Sequence, residues 1–201
     1  MTKMPFFRKW QKILTRFHDG PTASRLILKA QSYYEQFCSQ SPPLKDRYNR
    51  NIINSRILPA VSMYKVLMDE NNNQGKSISE IEALFKETFF VTIIKAIHLL
   101  NFLPNPFLIV RPMLKTMTAN EYLPGSQEIL VDSPDCFAFN VYRCFYLDTL
   151  IKYNAPELTL LFCKTDDWLS EAMPKVRWER TKTLGRGGEC CDFRWCKLKT
   201  H

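Results

Sequence analysis

Glycine and histidine are scarce in this chain of 201 residues, which has six of the first and three of the second. Three of the six glycines fall in one short turn, Gly185-Arg186-Gly187-Gly188, and no phosphate-binding loop, GxSxG elbow or HExxH metal helix occurs anywhere. His18, His98 and His201 lie far in sequence from the cysteines, so a Cys–His dyad has no local support. The seven cysteines are odd in number and lack the even, closely spaced framework of a small secreted domain. The opening MTKMPFFRKWQKILTRFH has no apolar run of the secretory kind. Both absences predict free thiols in a reducing, cytoplasmic setting. Long apolar runs are missing too. The most apolar region, Phe89 to Leu114, is broken by Lys95, His98, Pro104, Pro106, Arg111 and Pro112, which excludes an integral membrane segment.

What is present is ordinary globular material, 45% hydrophobic and 24% charged, enough for one domain with its own core. The net charge of +8 is uneven: residues 1–60 hold eleven Lys and Arg against three acids, and the remainder holds seventeen of each. Such a basic third suits an acidic partner. Basic residues spaced along amphipathic helices are, however, first of all solvated faces. The expectation is therefore no nucleic-acid partner, a small-molecule substrate, and room for a homo-oligomer.

The first half has helical periods. Phe6, Phe7, Trp10, Ile13, Leu14 and Phe17 form an apolar stripe beside Arg8, Lys9, Lys12 and Arg16, and Phe6, Trp10, Ile13 and Phe17 are expected to dock on the domain. A second helix is predicted from Thr22 or Ser24, and a third over Tyr48 to Glu70 with a break or kink at Pro59. The run Asn71 to Gly75 predicts a loop. After it, Ser79 and Glu82 match a capping box that opens the strongest helix, through Leu100. Prolines 104, 106, 112 and 124 then mark a change of character.

Strand-like pieces follow over Glu128 to Val131, Phe137 to Tyr142, Val176 to Thr183 and Cys191 to Leu198. Helical material lies between the second and third, at Tyr146 to Lys152 and from Pro156-Glu157 toward Trp168. The predicted fold is α+β over 1–201 as a single domain. A mainly helical part at 1–120 is packed on a small antiparallel sheet, and 127–198 runs in β-β-α-α-β-β order. In the last strand, alternation sends Cys191, Phe193 and Trp195 to one face and Cys190, Asp192, Arg194 and Cys196 to the other. The glycine turn before it is expected to be a plain hairpin connection.

Chemistry concentrates between Phe139 and Cys196. The pieces Phe139-Asn140-Val141-Tyr142-Arg143-Cys144, Pro156-Glu157-Leu158, Cys163 with Asp166, Arg180-Thr181-Lys182-Thr183, and Gly187 with Cys191-Asp192-Phe193-Arg194-Trp195 stand in one register. Together they resemble the C-terminal signature of the L-2-amino-thiazoline-4-carboxylic acid hydrolase family. The resemblance implies a hydrolase that adds water to a cyclic amidine C=N bond, giving a carbamoyl amino acid, without a cofactor.

That electrophilic carbon calls for an acid–base carboxylate, a nucleophile and a cationic clamp for the substrate carboxylate. The candidates are Asp166 as the carboxylate, Cys191 or Cys163 as the thiolate, and Arg143, Arg180 and Arg194, with Cys144, around the substrate. In the alternative, the thiols only line the pocket and a carboxylate activates water directly. A related ring-forming enzyme, a non-catalytic small-ligand domain, and a metal or iron–sulfur site on Cys144, Cys163 and Cys191 are the competing readings.

Overall fold

A computed structural model describes residues 2–40, 47–121 and 125–198, the side chains of residues 120 and 121 excepted. Pro124 and His201 lie outside the described residues. The chain divides into two compact units, Met1–Phe89 and Phe90–His201.

The first unit is helical. Helix α1 (Phe7–Leu14) buries Trp10, Ile13 and Leu14 as its stripe predicts, while Phe6 and Phe17 keep about two fifths of their surface exposed. The Trp10 Nε1–H donates to Thr88 Oγ1 at 3.0 Å, and the Phe6 ring meets Phe89 edge-on at 4.7 Å. Helix α2 (Gly20–Gln40) starts ahead of Thr22, because Asp19 Oδ1 accepts the Thr22 N–H at 2.7 Å and acts as the cap. Part of the basic face is paired with acids of the same unit: Arg16 with Glu87, Arg25 with Glu70 and Lys29 with Asp69. His18 is committed as well, its Nε2 lying 2.7 Å from the buried Glu80 carboxylate.

The third predicted helix is present without a clean break. Helix α3 (Arg47–Ile52) passes through a π-helical stretch, Ile53–Ile57, into α4 (Leu58–Asn71). Pro59 stands in the first turn of α4. It has no N–H to donate and its ring crowds the carbonyl four residues back, so the helix widens before the proline and stays continuous. The expected loop shrinks to two residues. Asn72 takes a left-handed φ of 46°, Asn73 is extended, and its Oδ1 accepts the Lys76 N–H at 2.9 Å. Helix α5 (Gln74–Phe85) therefore opens on an asparagine cap ahead of Ser79, and Gly75 falls inside it. The capping-box pattern at Ser79 and Glu82 is not a terminus.

In the second unit, α6 (Val91–Leu100) and α7 (Phe107–Glu121) precede β1 (Gln127–Asp132) and β2 (Cys136–Val141). Helices α8 (Phe145–Lys152) and α9 (Thr159–Glu171) come next, the latter entered through a 3-10 turn at Pro156–Leu158, and β3 (Val176–Glu179) and β4 (Cys191–Lys197) complete the sheet. All pairings are antiparallel, in the order β1-β2-β4-β3. The predicted α+β class and the β-β-α-α-β-β order are both observed.

The strand alternation also holds. Phe193 and Trp195 face Phe139 and Phe137 across the ladder, and with Val141 and Cys191 they bury one side of the sheet against Ile97, Phe107, Val110 and Leu114 of α6 and α7. Phe139, Phe193 and Trp195 stack with centroids 5.0 to 5.9 Å apart, and Trp178 adds a fourth ring 4.2 Å from Trp195. Such offset contacts each add on the order of 1 kcal/mol to the burial of the rings themselves. The other face carries a correction to the expectation of free thiols. Cys136 and Cys196 are direct cross-strand partners, and they are joined as a disulfide. Free-thiol chemistry thus remains for Cys38, Cys144, Cys163, Cys190 and Cys191.

Candidate active site

Three of these thiols meet at the packed end of the sheet. Cys144 is the extended residue that starts α8, with its Sγ accepting the Leu147 N–H at 3.5 Å. Cys163 projects from α9 and Cys191 begins β4. Between them stands Thr183, whose Oγ1 lies 3.5 Å from the sulfur of Cys163 and 3.5 Å from that of Cys191. The Leu184 N–H donates to the Cys191 sulfur at 3.3 Å, and the electrostatic influence of Cys163 and Cys191 reaches Cys144.

The loop that brings Thr183 here depends on its glycines. A Cβ on Gly185 would stand 3.3 Å from Cys163 Sγ, and one on Gly188 would stand 2.9 Å from the Thr183 carbonyl oxygen. The segment is a hairpin connection between β3 and β4, as expected, but it is folded onto α9 through a 3-10 turn at Leu184–Arg186. Asp192 anchors its start, accepting from the Thr181 N–H, the Thr181 hydroxyl and the Lys182 N–H at 2.6 to 2.9 Å.

Cys144 and Cys163 are not poised as thiolates. Burial pushes the Cys144 thiol up to about 12, and the neighbouring sulfurs add to the rise. Burial also raises Cys163. The Thr183 hydrogen bond and the Arg180 charge pull it down but do not offset the loss of water. At pH 8 a thiol of pKa about 12 carries roughly a thousandth of the thiolate of one at 9. Cys144 is therefore expected to react with a disulfide reagent such as Ellman's at least a hundredfold more slowly in the folded protein than after denaturation, and Cys163 is expected to be slowed in the same direction. Stopped-flow absorbance with Cys144→Ala and Cys163→Ala proteins assigns the phases, and fast labelling of either residue would contradict the protonated state.

Charge gathers one turn further along α9. The Arg180 side chain, 9% exposed, donates to Asp166 Oδ2 at 3.0 Å, to Asp167 Oδ1 at 2.9 Å and to the Cys163 carbonyl at 3.2 Å. Its guanidinium also lies over the rings of Trp178 and Phe193 at 5.5 and 5.8 Å. Asp167 additionally accepts the Trp178 indole N–H at 3.3 Å. A polar cleft of about 380 Å³ opens beside this group, lined by Cys163, Asp167, Arg180 and Thr183 with Lys164, Lys182 and Arg186. Asp166 belongs to the wall of a second, mostly apolar cavity.

The candidate residues named from sequence thus separate. Cys144, Cys163 and Cys191 come together. Arg180 reaches both the thiol side and the carboxylates. Arg143 is held at the surface by Asp148 at 2.6 Å, and Arg194 lies on the far face of the sheet, donating to the Phe139 and Phe193 carbonyls and to Asn140 Oδ1. No group of three or more ligating side chains arranged for a metal occurs among the described residues. Sequence reasoning overlooked Asp167, Thr183, Lys164 and Arg186. Asp167 adjoins Asp166 and offers the same chemistry, so only the helix's 100° rotation per residue distinguishes them. Thr183 was visible within the Arg180-Thr181-Lys182-Thr183 piece.

An antiparallel sheet covered by helices on one face, with buried thiols beside a carboxylate–guanidinium cleft, defines an α+β protein. The chain belongs to the L-2-amino-thiazoline-4-carboxylic acid hydrolase family, whose model matches residues 50–195. No curated protein matches the sequence. Among solved structures, an Fe(II) unliganded H-NOX protein from K. algicida is similar at 10% identity and a TM-score of 0.38, over 99% of this chain and 98% of that one. A point mutant of the same protein is similar at 8% identity and 0.33, with the same coverage. Similarity at that level does not establish a shared fold. No helix of the described residues is long and apolar enough to cross a membrane.

Proposed function

We propose that the protein is a hydrolase that opens a small cyclic amidine bearing a carboxylate, of the 2-aminothiazoline-4-carboxylate class. The observation that carries this reading is the single cleft joining a carboxylate, a protonated thiol and several cations, Asp167, Cys163, Arg180, Lys164 and Arg186. Arg180 is occupied by two carboxylates, so Arg186 is assigned to the substrate carboxylate and Arg180 to holding Asp167 in place.

In this mechanism Asp167 takes a proton from water as the oxygen bonds to the ring carbon between sulfur and the two nitrogens. The proton on Asp167 passes to the ring nitrogen, the carbon–sulfur bond breaks with its electron pair staying on sulfur, and the proton of the new hydroxyl reaches that sulfur. The ring carbon becomes a urea carbonyl, so ring plus water gives an N-carbamoyl amino acid with a free thiol. A thiol held protonated by burial suits the proton donor better than the resting nucleophile, which favours direct water attack over a covalent intermediate.

The test is incubation of the purified protein with L-2-aminothiazoline-4-carboxylate, followed by proton NMR. Appearance of the carbamoyl product at a rate proportional to protein supports the reading, and an unchanged substrate spectrum after prolonged incubation at high protein concentration refutes it.

A further inference from the structure

The corner between α6 and α7 contributes no residue to the polar cleft, yet it carries the most apolar surface of the second unit. Eight of the nineteen exposed large apolar side chains among the described residues fall between Val91 and Met113, so the exposure is concentrated and not scattered. Phe102 is 84% exposed, Leu108 67%, Leu99 66% and Ile109 47%. Leu99 belongs to the last turn of α6, Phe102 stands in the connection, and Leu108 and Ile109 open α7.

The backbone of this corner is tied down. The N–H groups of Asn101, Phe102 and Leu103 donate to the carbonyls of His98, Leu99 and Leu100. The Asn101 side-chain amide donates to Ala172 O at 2.9 Å, the Lys175 ammonium donates to Leu103 O at 3.0 Å, and Ile97 and Phe107 are buried on either side. Phe102 therefore projects into water and does not fold back onto the core. Charge narrows what can cover it. No Asp or Glu occurs from Thr88 to Asn120, a stretch that holds Lys95, Arg111 and Lys115, and Lys175 adds a fourth cation at the turn. Against these stand Asp132, which pairs with both Arg111 and Lys115, and Glu171 beside the Ala172 contact, so the corner stays positive. A second copy meeting it face to face would bring like charges together. An anionic bilayer answers both features, because its interfacial layer takes apolar side chains and its headgroups take the cations.

We propose that the α6–α7 corner docks the protein on an anionic phospholipid surface, with Leu99, Phe102, Leu108 and Ile109 entering the headgroup boundary and Lys95 and Lys175 facing the phosphates. The attachment is peripheral, it does not depend on the hydrolytic reading, and its test needs no turnover. The full chain is sedimented with large vesicles of phosphatidylcholine containing about 30% phosphatidylserine, and with vesicles of phosphatidylcholine alone. Each is measured at about 0.1 M and about 0.5 M salt.

The expected result is saturable binding to the phosphatidylserine vesicles, weakened about tenfold by the higher salt or by removal of the anionic lipid. Phe102→Ser combined with Leu108→Ser should weaken binding by about tenfold or more with no change in the thermal melt, since both side chains already stand in water. Lys95→Gln should weaken binding to the phosphatidylserine vesicles by about fivefold and leave binding to phosphatidylcholine as it was. It supplies the second arm should the double variant misfold. Absence of binding to the anionic vesicles at about millimolar lipid overturns the proposal. So does undiminished binding of the folded double variant, which would place the attachment elsewhere, as on the basic N-terminal helices. A wild-type dimer that sedimentation without lipid shows to be broken by Phe102→Ser also overturns it, by assigning the corner to a second copy.

Discussion

Replacing Asp167 by Asn is expected to slow ring opening by about a thousandfold, the scale on which a positioned general base contributes, with little change in the thermal melt. The amide oxygen can still accept from Arg180 and the Trp178 indole, the partners that hold Asp167 at 2.9 and 3.3 Å, so the side chain stays in place while losing its capacity to take a proton. The loss should appear in kcat and in kcat/KM together, because the proton moves only in the transition state. Asp166→Asn is the paired comparison. Its carboxylate accepts from Arg180, and about a tenfold loss or less is expected through weaker positioning of that guanidinium. A greater loss in Asp166→Asn than in Asp167→Asn would return the role of base to Asp166. Cys191→Ser extends the comparison: a loss as large as that of Asp167→Asn would favour a thiolate nucleophile over direct attack by water.

Arg180→Met is expected to destabilise the protein by about 3 kcal/mol, measured as a shift in the urea midpoint. The guanidinium is nearly buried and serves two adjacent carboxylates, a backbone carbonyl and two aromatic faces. Removing it leaves Asp166 and Asp167 to repel one another and takes a second hydrogen bond from the Cys163 carbonyl. Both carboxylates are partly exposed, 30% and 41%, so water relieves some of that penalty and keeps the effect at the lower end for a broken buried pair. The double substitution Arg180→Met with Asp166→Asn should be less unstable than Arg180→Met alone, because it removes one of the repelling charges. A double variant as unstable as the sum of the single ones would show that the charges do not interact.

Local features were legible wherever chemistry within a few residues decides conformation. The alternation in Cys191 to Cys196 correctly separated an apolar face from a polar one, and the helical period identified Trp10, Ile13 and Leu14 as buried. Where two local signals competed, the pattern misled: Asn73 is a better cap than the box at Ser79, whereas the disturbance expected at Pro59 is present as the π-helical stretch before it. The joining of Cys136 to Cys196 was not legible either. Sixty residues separate them in sequence, and only the β2–β4 register makes them neighbours.

The sequence by itself determined the α+β class, the strand order along the chain, the family to which residues 50–195 belong, and a thiol cluster as the centre of interest. Periodicity, turn chemistry and motif register are short-range properties that any reader of the chain can count. Tertiary structure alone decided which charges belong to that cluster. Arg143, Arg180 and Arg194 are equivalent as letters, yet the pleat turns Arg194 to the far face, Asp148 holds Arg143 at the surface, and only Arg180 lies against α9. The same holds for Asp166 and Asp167. One step along a helix sends the first to an apolar cavity and the second to the cleft, a distinction of angle and burial that no residue type records.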